Sequence, residues 1–107
     1  MARIERIYVA PYWYTIKYDK LLSSVAGVLG ACGTDDLTML MQADNPPDVM
    51  AETLLHEAMH AMWAQTNLLK MFSSDEQEAV IYAMAPRIMA MLRDNPALAR
   101  KLCKKTP

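Results

Sequence analysis

Residues 50–64 constrain the fold more than any other segment. Met50, Leu54, Leu55, Ala58, Met59, Ala61, Met62 and Trp63 place apolar side chains on nearly every side of a helix. Such a helix must be buried between other layers of the fold. Its polar residues are Glu52, Thr53, His56, Glu57 and His60, at offsets 0, 1, 4, 5 and 8 from the first. At helical periodicity these fall on one narrow stripe. An ordinary surface helix shows a broad face of Lys, Gln and Arg instead, so the stripe is expected to line a groove or site.

The layers that bury this helix are read from the remainder of the 107 residues, enough for a single domain over 1–107 with one core. Residues 3–9 are rich in branched types and are stopped by Ala10-Pro11. Residues 12–18 are dense in aromatic and β-branched types. The two predict a hairpin or two neighbouring strands. Residues 19–36 carry Leu21, Leu22, Val25, Val28 and Leu29 at helical spacing, interrupted by Gly27, Gly30 and Gly33. A short helix or packed loop ending in the turn 33–36 is expected there. Residues 37–43 alternate as a strand, halted by Asp44-Asn45-Pro46-Pro47.

The helix that follows takes Asn45 or Asp44 as its cap and a proline in its first turn, and runs to Gln65 or Asn67. A second long helix opens at Ser73, whose spacing to Glu76 is that of a capping box. It extends to about Arg93 with a kink or break at Pro86, and 96–103 forms a short terminal helix. The expected class is α+β, with a small antiparallel or mixed sheet of about three strands followed by two long helices.

Composition narrows the function. Eleven Lys and Arg against twelve Asp and Glu leave no basic stripe, which disfavours nucleic acid as partner. The one basic cluster, 100–105, reads as a solvated tail. No apolar segment has the length of a membrane span, and the amino terminus lacks an apolar targeting core. Cys32 and Cys103 lack metal-pair spacing and are expected to be free thiols in a cytoplasmic protein. Ten methionines imply an adaptable core.

Both histidines of the chain lie in His56-Glu57-Ala58-Met59-His60. Imidazoles four residues apart point the same way and can reach one ion at roughly 2.0–2.1 Å. Glu57, rotated by roughly 100° from His56, stands beside such an ion and suits a general base for a zinc-activated water. Catalytic zinc takes three protein ligands and keeps one position open. The extended three-histidine pattern is excluded, because Trp63 and Thr66 occupy its glycine and histidine places. The third ligand is therefore expected to be a carboxylate. Glu78 is chosen because it lies 18 residues beyond His60, where an antiparallel return of the chain brings it across, with Ile81 and Ala85 packing below. Glu76 is the alternative ligand, although it and Asp75 also suit a first helical turn.

The segments 53–63, 75–80 and 92–96 resemble the minimal phage-type zincin peptidases. More distantly, they are similar to the ImmA/IrrE-type peptidases that cut repressors. In the latter a Glu-Ala-Asn-x-Phe-Ala segment supplies the third ligand; here Glu78-Ala79-Val80-Ile81-Tyr82-Ala83 departs from it at Val80. The resemblance implies a zincin fold with an edge strand bordering the active helix.

The expected activity is zinc-dependent peptide hydrolysis, with His56, His60 and Glu78 as metal ligands and Glu57 as base. The alternative is a zinc-binding regulatory or interaction domain with little or no proteolysis; a helical hairpin without metal is the third reading. Tyr82, one turn beyond Glu78, is a candidate donor to the developing oxyanion or a core tyrosine, and Arg87 is a weaker candidate. Glu52 and Thr53 are placed to orient the histidines. The strand 37–43 is either a platform for an extended substrate or a plain core strand. The expected partner is a protein or peptide substrate, with a dimer or partner protein available to complete so small a cleft.

Overall fold

The structure is a computed structural model and describes residues 3–105. Strands β1 (Arg6–Val9) and β2 (Tyr12–Asp19) form the expected antiparallel hairpin, with Ile7 opposite Tyr14. Along β2 the period-2 alternation is plain: Tyr14 and Ile16 are buried while Thr15 and Lys17 are exposed. A short helix α1 (Leu22–Ala26) follows and ends at Gly27, whose φ of 72° is the left-handed conformation glycine adopts most readily. Strand β3 (Gly30–Gly33) pairs antiparallel with β4 (Thr38–Gln42), and β4 pairs parallel with β2.

The sheet therefore has four mixed strands in the order β1-β2-β4-β3, where about three were expected. The missed strand is Gly30-Ala31-Cys32-Gly33, which has none of the β-branched or aromatic residues that mark a strand. Its sequence answers a packing constraint instead. A Cβ at Gly30 would stand 2.7 Å from Thr53 Cγ2 and 3.1 Å from Glu57 Cγ. The strand edge can lie this close to the next helix only without a side chain.

This topology also corrects the role considered for residues 37–43. As β4 they are an interior strand, hydrogen-bonded on both sides, and offer no edge to a substrate. The free edge beside the helices belongs to β3. Gln42 closes the end of β4: its Oε1 accepts from Ser23 N at 2.7 Å and its Nε2 donates to Lys20 O at 2.8 Å.

Helix α2 (Pro47–Ala64) crosses one face of the sheet. Pro46 takes the capping position and no side chain caps the helix, contrary to the expected Asn45 or Asp44; Pro47 occupies the first turn as expected. Its Ala58 and Ala61 join Val9, Tyr14, Ile16, Met39 and Met41 in the core. Two of the ten methionines are thus fully buried fillers between sheet and helix. A short helix α3 (Leu68–Met71) turns the chain into α4 (Ser74–Asp94).

The capping box at the start of α4 is formed as expected: Ser73 N donates to Glu76 Oε1 at 2.9 Å and Glu76 N to Ser73 Oγ at 3.1 Å. The helix continues unbroken through Pro86. Ile81 and Ala85 are its buried residues, and it packs on α2 as an antiparallel neighbour. Helix α5 (Pro96–Cys103) ends the described chain. The class is α+β, with two long helices accompanied by three short ones. Among the described residues no helix is long and apolar enough to cross a membrane, and Cys32 and Cys103 are free.

Ile81 is fully buried while its neighbour Tyr82 is 74% exposed. Ile81→Ala should lower unfolding stability by about 2–5 kcal/mol, whereas Tyr82→Ala should change it by less than about 0.5 kcal/mol. Denaturant melts of the two variants check the contrast.

Candidate metal centre

The polar stripe of α2 faces an open cleft between the β3 edge and α4. All five of its residues line that cleft, Glu52 and Thr53 toward one end and His60 toward the other. Outside the stripe only Ala58 and Ala61 are buried, while Pro47, Asp48, Ala51 and Met62 stay exposed, so the helix is enclosed on part of its surface and not on every side as its apolar residues led one to expect.

Within the cleft three donor groups converge. His56 Nε2 lies 2.9 Å from Glu78 Oε1, and His60 Nε2 lies 2.7 Å from Glu78 Oε2. The two Nε2 atoms are 3.2 Å apart. The antiparallel return of α4 supplies the third group, as the spacing from His60 predicted. These three are the residues among those described that could together hold a metal ion.

The donor set fits one. Nitrogens bound to a tetrahedral ion at roughly 2.0–2.1 Å stand about 3.3–3.4 Å from each other, close to the separation of the two histidines. The Glu78 carboxylate sits nearer, at hydrogen-bond distance. Its side chain is 54% exposed, so it has room to draw back around a cation. At 3.2 Å the two imidazole nitrogens can share a proton in a hydrogen bond or flank a cation.

The orienting partner of His60 is Gln77, which the sequence reading did not single out. Its Oε1 lies 3.3 Å from His60 Nδ1. With an ion on Nε2 the proton of the ring would sit on Nδ1, where this amide oxygen is placed to accept it. Gln77 precedes Glu78, and one turn of α4 therefore provides both a ligand and the group that faces His60 Nδ1. Thr53, considered for such a role, instead donates from Oγ1 to Val49 O within its own helix at 2.7 Å. Glu52 makes no hydrogen bond to either histidine among the described residues.

Glu76 is removed as a competing ligand, since its carboxylate is held in the capping box with Ser73. Its hydrogen bonds to Ser73 also hold its pKa below the ordinary carboxylate range. Tyr82 is not a core tyrosine: it is largely exposed and lies along the cleft with Glu52 and Glu78. Arg87 turns back on its own helix, donating to Ala83 O at 2.7 Å, and does not line the cleft.

Glu57 is 6% exposed and sits beneath the β3 edge, where Gly30 leaves room for its Oε2. Burial pushes its pKa from 4.5 up to about 7; nearby His60 opposes the rise and Glu78 adds to it. Cys32, on the same strand and in the same cleft, has its thiol pushed up to about 11 by burial and by the adjoining carboxylates. Cys32 is not among the residues whose donor atoms converge with those of His56, His60 and Glu78.

No protein-family model, curated protein or solved structure matches this chain.

The purified protein should hold one divalent ion per chain by elemental analysis, and His56→Ala or His60→Ala should lose it. Glu78→Ala should weaken metal binding by far more than Glu76→Ala, which touches only the cap; equal losses would reassign the third ligand. In metal-stripped protein the folded state favours protonated Glu57. The burial penalty is then absent below about pH 4.5 and complete above about pH 7. Metal-free Glu57→Gln should accordingly melt higher than wild type at pH 8, with the gain shrinking toward pH 4.5.

Proposed function

We propose that this chain is a zinc-dependent peptide hydrolase of the zincin kind. The observation that carries the proposal is the meeting of His56, His60 and Glu78 in one open cleft, with the buried carboxyl of Glu57 beside them and outside the ligand set. Two imidazoles and one carboxylate are a ligand set used by catalytic zinc, which keeps a position for water. Zinc held by these residues would lower the pKa of that water and polarise the scissile carbonyl.

The chain's own groups supply the rest. Glu57 accepts a proton from the attacking water and delivers it to the departing amine. Gln77 accepts from His60 Nδ1 and so holds that ring with Nε2 directed at the ion. The β3 edge runs along the cleft opposite α4 and offers backbone groups to an extended peptide by strand addition. Tyr82 stands at the rim with its hydroxyl free of other hydrogen bonds among the described residues, and is the proposed donor to the carbonyl oxygen.

The openness of the site favours a second reading, a zinc-dependent binding domain. Glu78 is half exposed and Tyr82 more so, leaving the cleft with few walls to exclude water. Glu57→Gln separates the two readings. It should retain the metal of the wild type and lose cleavage by at least two orders of magnitude, about the contribution of a positioned base. Proteome-wide mapping of new peptide termini, wild type against Glu57→Gln, provides the comparison. A variant with full biological activity would overturn the hydrolase.

A further inference from the structure

We infer that one end of the cleft is a subsite for a cationic group of the peptide, built on Glu52; the inference rests on the hydrolase reading above. Glu52 precedes His56 by one helical turn on α2, and Tyr82 follows Glu78 by one turn on α4. The two helices are antiparallel, with Asp48 of α2 3.4 Å from Arg93 of α4 at one end and His60 beside Gln77 at the other. Both steps therefore lead the same way from the histidine pair. They arrive in one cavity of about 430 Å³, closed on its third side by Val28, Leu29 and Gly30.

The charge of this cavity is unbalanced. No Lys or Arg lines it, and Glu52 forms no ion pair among the described residues. Glu57 also opens onto it, buried and without a hydrogen-bond partner among the described residues. Glu52 lies outside the group that could hold a metal, and is therefore a carboxylate without a cationic partner in a partly enclosed site. Val49 and Val28 supply apolar wall for a methylene stem, and the Tyr82 ring stands at the mouth where a cation can meet its face.

The opposite arm of the cleft has a different character. Beyond the shared metal-site groups it is bounded by Cys32, Thr34, Ala64, Leu69 and Gln77, none of them charged. The peptide is therefore selected for a positive group on the Glu52 side and an uncharged one on the other. A Lys or Arg side chain and a free amino terminus offer the same chemistry to Glu52.

Four small zinc-anchored compounds distinguish these sources: lysine hydroxamate, norleucine hydroxamate and the Nα-acetyl form of each. Their affinities for the zinc-loaded protein are measured calorimetrically in wild type and Glu52→Gln, with zinc content measured alongside. Wild type should bind at least one cationic compound on the order of three- to tenfold tighter than Nα-acetyl-norleucine hydroxamate, the size expected of a partly screened charge pair. Glu52→Gln should abolish that preference at unchanged zinc content. Tight Nα-acetyl-lysine hydroxamate assigns the subsite to a side chain, and tight norleucine hydroxamate to an amino terminus. A neutral compound that binds equally well, or a preference that survives in Glu52→Gln, overturns the subsite. Cleavage by the wild type without this preference overturns the subsite alone. The preference without cleavage overturns only the hydrolase.

Discussion

Ala58 and Ala61 let α2 lie flat on the sheet, over Tyr14, Met39 and Met41, and this contact fixes the orientation of the whole helix. With those two positions turned inward, the helical period sends His56 and His60 to one flank of the contact and leaves Glu57 beneath the β3 edge. Larger residues at 58 or 61 would lift the helix and open the gap that Gly30 is shaped to close. Helix α4 then covers the other side through Ile81 and Ala85, and the same register brings Gln77 and Glu78 across to the histidines. The convergence of His56, His60 and Glu78 is thus a product of small residues at three interfaces as much as of the three residues themselves.

That arrangement carries an electrostatic tension. Glu57 sits close to the histidines, and the packing that holds it there removes it from water and makes its charge unfavourable. A cation on the histidine pair would relieve this by supplying opposite charge nearby, and its binding would then be coupled to folding.

How much of this was legible in the sequence depended on whether a signal was local. The stripe on α2, the capping box at Ser73 and the alternation of β2 are each set by a few neighbouring residues, and each was readable. Glu78 was reached by elimination and by the distance an antiparallel return needs, which is a weak long-range signal made usable because no third histidine exists. Gln77 escaped attention because an amide has no periodic or motif signature; only its place beside Glu78 on the returning helix could have raised it. Strand β3 escaped for a different reason. Gly30 and Gly33 lower its propensity, and its existence is dictated by pairing with Thr38–Gln42 and by the proximity of α2. That misreading moved the sheet edge to 37–43, since without β3 the strand 37–43 has one side free.

An unpaired strand edge is indifferent to what it pairs with, and one suited to receiving a peptide is equally suited to the edge of another copy of the chain. Strand β3 has only four residues, and two of them are glycines. So short a ladder gives little register and few backbone bonds to a rigid foreign strand, whereas a flexible peptide can add contacts from the cleft floor and α4. The brevity that hid this strand in the sequence thus acts as a filter, discouraging self-association at the one edge the site must leave bare.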